Sequence, residues 1–155
     1  MSDTPSRTSL RSPAKMIAFV GFAAFAVALL LPSVDTKFAE MATSAGRGVQ
    51  GYRCFVGCFL APLASPLGTP LWVALSLGNI GVLLFPFAWG HGRVAAKLAK
   101  LARWSLSIGA IGAVVLPLVG KSLGILELHW GAHVWTAALW ILTVASWFPR
   151  RRDAS

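Results

Sequence analysis

The chain has 155 residues, of which 56% are hydrophobic and 12% are charged. A soluble domain carries about 25% charged residues, so the composition disfavours a water-soluble domain and excludes a disordered chain. The formal net charge of +9 is typical of nucleic-acid-binding proteins, but a mean hydropathy of +0.69 disfavours that class, and we expect no nucleic-acid partner.

Four stretches of at least 17 residues contain no Asp, Glu, Lys or Arg. A bilayer core needs about 20 apolar residues in a helix, with a range of about 17–25. The apolar runs are continuous rather than alternating, which favours helices over a transmembrane barrel. The sequence therefore predicts an all-α, polytopic membrane protein with four transmembrane helices, at about 16–32, 71–90, 104–120 and 133–149.

The first apolar run also resembles a secretory signal, because basic residues precede it. The run extends over 16–31, longer than the usual core of about 7–15 residues, and no small-x-small cleavage site follows Leu31 directly. We therefore expect a retained helix, although cleavage remains an alternative. The predicted organisation is a flexible basic cytoplasmic tail over 1–15, a transmembrane domain over 16–149 and a second basic cytoplasmic tail over 150–155.

Residues 54–69 lie in the longest charge-free stretch and could form a fifth span. Pro62 and Pro66 disfavour a continuous helix there, and the stretch is short for a span. We predict a short interfacial or re-entrant segment before the second transmembrane helix.

The distribution of basic residues supports four spans. With the N-terminus in the cytoplasm, ten Lys and Arg residues lie inside, and a fifth span would separate them. The remaining four lie outside: Lys37, Arg47, Arg53 and Lys121. The positive-inside rule thus predicts a multi-pass protein of the bacterial cytoplasmic (inner) membrane, with both termini in the cytoplasm. Tryptophans near most of the span ends agree with this arrangement.

Small residues recur at helical spacing within the predicted spans, and such stripes let membrane helices pack closely. Asn79 is the most polar side chain in any span, and we expect it to form a hydrogen bond with a neighbouring helix. The predicted helix-packing residues are Gly78, Asn79, Gly81, Gly109 and Gly112.

The segment between the second and third spans reads as a basic amphipathic helix that continues into the third span. Arg93, Lys97, Lys100 and Arg103 share one face of it. We expect this face to contact anionic lipid headgroups, with an acidic protein partner as the alternative.

Two pairs of residues with a spacing of four form a candidate metal site: Cys54 with Cys58, and His129 with His133. Two thiolates and two imidazoles suit zinc or copper, whereas a Cys54–Cys58 disulfide is the other interpretation. No acid lies within a span and no catalytic motif is present, so we expect neither an enzyme nor a bound cofactor.

Several short motifs occur in a fixed order along the chain. They are Leu30-Leu31-Pro32-Ser33, the segment 51–57, Trp72 followed by Asn79, and the spacing of Gly131 and Trp135. In these motifs the chain resembles a loose group of small, uncharacterised bacterial membrane proteins with four spans. The resemblance implies the four-span topology and no activity.

These observations lead to the expectation of a non-enzymatic accessory, assembly or interaction subunit. It would work in the lipid bilayer, with a protein partner or as a homo-oligomer. The alternatives are a small-solute or ion transport or channel component, and a metal-binding or redox membrane protein that uses the Cys/His set.

Overall fold

The computed structural model describes residues 13–36, 49–64, 69–90, 92–122 and 126–148. The described part is mostly helical. The helices are α1 (Pro13–Leu30), α2 (Gly51–Ala64), α3 (Thr69–Leu84), α4 (Arg93–Ser122) and α5 (Trp130–Trp147), with a 3-10 turn at Phe87–Trp89. The strands are β1 (Pro32–Thr36), β2 (Val49–Gln50) and β3 (Leu126–Leu128).

The four long helices α1, α3, α4 and α5 pack with neighbours antiparallel. Gly21 in the middle of α1 lies against Leu142 near the end of α5, and Gly131 at the start of α5 lies against the carbonyl of Leu31, just beyond α1. Gly78 of α3 meets Gly109 of α4. We call the end of the bundle that carries the strands the sheet end. The opposite end, where α1 begins and where α4 carries Arg93, Lys97, Lys100 and Arg103, is the basic end.

The helix boundaries differ from the predicted ones at the prolines. The second predicted helix, 71–90, ends at Leu84, because Pro86 has no N–H to continue the ladder, and a 3-10 turn follows. The third predicted helix and the amphipathic segment before it form one continuous 30-residue helix, α4, as the sequence predicts.

The all-α prediction missed a small sheet. Its strands are antiparallel in the order β2-β1-β3, and Val34 of β1 pairs with Leu128 of β3. The N–H of His129 donates to the carbonyl of Ser33 at 2.9 Å. The sheet therefore fixes the C-terminal end of α1 against the N-terminal end of α5.

Helix α2 begins and ends at the sheet end. The N–H of Gly51 donates to the carbonyl of Leu31 at 2.9 Å, and Ala64 lies five positions before the start of α3. The helix continues through Pro62, which cannot donate to the carbonyl of Cys58 four residues earlier. The hydroxyl of Ser76 on α3 lies 2.6 Å from that carbonyl and 2.8 Å from the carbonyl of Trp72 on its own helix. Its single proton, donated to the closer Cys58 carbonyl, replaces the missing N–H and anchors α2 to α3.

The interior of the bundle is rich in small residues and its surface is rich in large apolar ones. Ten of the 18 buried hydrophobic residues in the described part are alanines, such as Ala18, Ala102 and Ala138. In contrast, Phe19 is 74% exposed and Leu118 is 67% exposed. By length and composition, α1 and the Arg93–Val119 part of α4 are apolar enough to cross a membrane.

Candidate ligand cavity

A partly enclosed cavity of about 280 Å³ lies at the sheet end of the bundle. All five helices and all three strands contribute to its wall, which is largely apolar. Its described lining includes Leu29, Phe55, Trp72, Leu75, Ala113, Leu116, Leu128, Ala132 and Trp135. The small side chains of α4 and α5 leave this space open, since they do not fill the volume beneath α2.

Most polar groups in the cavity wall already have protein partners. The hydroxyl of Thr136 donates to the carbonyl of Ala132 at 2.9 Å, and the indole N–H of Trp135 donates to Asn79 Oδ1 at 3.3 Å. Arg53 is the single charged residue among the described lining residues. The wall can therefore surround an apolar group, and it offers a positive charge at one position.

Both cysteines lie in the cavity wall and both are free thiols, so the disulfide alternative does not hold in this structure. Burial raises the pKa of the Cys54 thiol to about 11. Burial, with a smaller effect of the neighbouring Cys54, raises the pKa of the Cys58 thiol to about 12. At neutral pH both are protonated, and a protonated thiol is a poor nucleophile and a poor metal ligand.

The predicted metal site is not assembled. No three His, Cys, Asp or Glu residues within the described ranges lie close enough together to hold a metal ion. Cys54 and Cys58 line the cavity, whereas His133 is exposed on α5, with its ring 6.4 Å from that of Trp130. The spacing of four placed each pair on one helix turn, but the fold does not bring the imidazoles of His129 and His133 to the thiols.

The predicted helix-packing glycines lie at the contact between α3 and α4. A Cβ on Gly78 would come within 2.8 Å of the Cα of Gly109, and a Cβ on Gly109 would collide with the backbone of Gly78. A Cβ on Gly81 would lie 2.8 Å from the backbone nitrogen of Leu106, and one on Gly112 would lie 3.0 Å from Ala74 Cβ. The small residues therefore allow direct backbone contact within this chain.

Asn79 is fully buried and forms the interhelical hydrogen bond expected from the sequence, with Trp135 of α5 as the donor. Its Nδ2 has no partner among the described residues. A buried NH2 group without a partner carries a desolvation cost, so Asn79 destabilises the core next to the cavity at this one atom.

The basic face of α4 divides into two parts. Arg93, Lys97 and Lys100 are exposed, consistent with a surface open to lipid or a partner. Arg103 instead is half-buried: its Nε donates to the carbonyl of Ser146 at 3.1 Å, and its guanidinium lies 4.9 Å from the ring centroid of Trp147. Arg103 therefore also joins α4 to the C-terminal end of α5, which the spacing of the basic residues does not predict.

The cavity is not predicted from the sequence. Its wall combines residues from all parts of the chain, and only Cys54 and Cys58 among them had been assigned a site. On α2, Arg53 directly precedes Cys54 and Gly57 directly precedes Cys58. This short segment is the local part of the sequence that indicates the cavity. Searches for similar proteins find no matching family, no matching characterised protein and no matching solved structure.

Proposed function

We propose that this chain is an integral protein of the bacterial inner membrane that crosses the bilayer four times, through α1, α3, the second half of α4, and α5. The observation that carries the proposal is the distribution of side-chain size, with alanine and glycine inside and large apolar residues outside. Water favours the opposite arrangement, whereas membrane helices associate through small residues.

The tryptophans support the same placement. Trp130 and Trp147 lie at the two ends of α5 and are 79% and 53% exposed. At a rise of 1.5 Å per residue they are separated by about 26 Å along the helix, close to the thickness of the hydrocarbon core. Trp104 also lies at the basic end, where its ring packs 6.4 Å from that of Trp147. Indole rings at both levels are typical of the two bilayer interfaces.

Charge supports the orientation of the bundle. Lys15 and the exposed cations of α4 lie at the basic end, and both the start of α1 and the end of α5 are at that end. The positive-inside rule therefore favours a cytoplasmic basic end and cytoplasmic termini. Helix α1 packs along α5 through Gly21, and this contact favours a retained helix over a cleaved signal.

We further propose a non-enzymatic accessory role, in which the protein binds a ligand or a partner without transforming it. The glycine stripes of α3 and α4 are used within the chain, so they are not the surface that meets a partner. The cavity and the exposed cations of α4 are the features that we assign to recognition of a ligand or a partner. The described part of the cavity wall has no carboxylate and no imidazole that could act as acid or base.

The topology is tested by labelling engineered cysteines in intact cells with a membrane-impermeant maleimide, in a Cys54→Ser/Cys58→Ser background. We expect Trp130→Cys at the sheet end to be labelled from outside, and Lys97→Cys at the basic end to be labelled only after permeabilisation. Labelling of both without permeabilisation, or recovery of the protein in the soluble fraction, would overturn the proposal.

The accessory role is tested after extraction in mild detergent. A partner protein that copurifies in fixed stoichiometry supports it. Solute or ion flux in liposomes that contain this protein alone would instead favour the transport alternative.

A further inference from the structure

We propose that the cavity at the sheet end binds the hydrocarbon chain of a single-chain anionic amphiphile, with its carboxylate or phosphate held by Arg53. This inference deepens the proposed function and rests on it, because such a ligand reaches the cavity from the membrane. Three observations carry it: the apolar wall, the position of Arg53 and the open space beside Gly57.

The chemistry of the wall suits a hydrocarbon chain better than a polar ligand. Leu75, Trp72 and Trp135 present apolar surface to it, and the two thiols are held in their neutral form. Trp135 directs its N–H to Asn79. An apolar chain can fill such a space without disturbing the hydrogen bonds of Trp135 and Thr136, whereas a polar ligand would lose its own hydrogen bonds with water.

Arg53 supplies the charge that selects the head group. It is exposed at the start of α2, and it lines the cavity. Its Nε donates to the hydroxyl of Tyr52 at 3.1 Å, and its guanidinium lies 5.8 Å from the centroid of the Tyr52 ring. Tyr52 thus holds the guanidinium through Nε, and the terminal nitrogens are not used in this hydrogen bond. A planar guanidinium suits a carboxylate or a phosphate.

A substitution at Gly57 can test whether the cavity is the binding site. It lines the space, and a Cβ built on it would meet no atom within 4 Å. A Gly57→Leu side chain can therefore be added at the cavity wall without displacing the backbone. Leucine is also a better helix former than glycine, so α2 is not weakened by the change.

The experiment uses the full chain in lipid nanodiscs, with dodecanoate carrying bromine at its chain end as the probe. Bromine quenches nearby tryptophan fluorescence. We expect saturable quenching that falls by more than half in Trp135→Phe and is retained in Trp104→Phe, since Trp104 lies at the basic end. Quenching that resides in Trp104 instead would mean that the probe only dissolves in the bilayer, and it would overturn the proposal.

Variants at two positions separate binding of the hydrocarbon chain from binding of the head group. Gly57→Leu should abolish saturable quenching while its thermal stability stays at or above that of the unmodified protein, and Gly57→Ala should retain binding. Arg53→Gln should weaken dodecanoate binding about tenfold and leave the equally brominated dodecanol unchanged. Undiminished binding to Gly57→Leu would exclude the cavity as the site. Equal affinity of Arg53→Gln and the unmodified protein would exclude the assigned head-group contact.

The topology assay distinguishes the two proposals. If the engineered cysteines place Trp130 and Lys97 on opposite sides of the membrane and the brominated probe does not bind, the ligand assignment fails and the membrane assignment stands. If both cysteines are labelled from the same side, the proposed function fails, and the ligand assignment fails with it.

Discussion

Replacing Gly109 by alanine tests the close crossing of α3 and α4. The new Cβ would collide with the backbone of Gly78, and backbone atoms cannot rotate away as a flexible side chain can. The two helices must therefore separate. Overpacking of this kind costs about 1–3 kcal/mol, against a gain of about 1 kcal/mol from the better helix propensity of alanine.

The matched control is Gly57→Ala on α2, where the added Cβ meets nothing within 4 Å. That variant keeps the propensity gain without the packing cost. We expect the free energy of unfolding of Gly109→Ala to lie roughly 2 kcal/mol below that of Gly57→Ala, since the packing cost is the difference between them. The assay is reversible unfolding in mixed micelles, in which the fraction of a denaturing detergent is raised stepwise.

A second variant at the same crossing sharpens the test. Once Gly109→Ala has separated the helices, Gly78→Ala should cost less than it does alone, so the two effects should not add. If Gly109→Ala is as stable as Gly57→Ala, or if the two changes at the crossing are strictly additive, the reasoning is refuted.

Four further predictions concern Arg103, Cys58 and Ser76. Arg103→Gln should lower the free energy of unfolding by about 1–2 kcal/mol, through loss of a hydrogen bond and a ring contact with α5, whereas Lys97→Gln should leave it within about 0.5 kcal/mol in the same titration. Maleimide should label Cys58 at least about a hundredfold more slowly in the folded than in the unfolded protein at pH 8, because the thiol is buried and burial raises its pKa from 9.0 to about 12. Stability should also decrease as the pH rises from about 9 to about 12, because the unfolded thiol loses its proton first. Ser76→Ala should cost about 1 kcal/mol, and less in a Pro62→Ala background, where the restored N–H serves the same carbonyl; equal costs in both backgrounds would contradict this bond.

The long helices could be predicted from the sequence because a continuous apolar run is a local signal. The run before Leu31 and the charge-free stretch after Arg103 each contain their own evidence, so α1 and α4 appear close to where they are expected. The helix ends are less predictable than the helices. Helix α3 ends at Leu84 rather than at residue 90, because Pro86 has no N–H with which to continue the hydrogen-bond ladder.

The sheet could not be predicted in the same way. Its strands have two to five residues, too few for alternation to be recognised, and Val34 pairs with a residue more than ninety positions away. The cavity is equally non-local, because its wall combines all the helices and strands. The contacts of Arg103 are non-local in the same way: its spacing defines a face of α4, but does not show that Ser146 and Trp147 of α5 lie against it.

The pairing of the first and last helices has a consequence for biosynthesis. Gly21 and Leu142, which meet in the finished bundle, are about 120 residues apart along the chain. At a translation rate of about 5–20 residues per second, α1 waits roughly 6–24 s for α5 to emerge. During that interval its stripe of small residues faces lipid or the insertion machinery. A chain that ends before α5 would leave that stripe uncovered permanently.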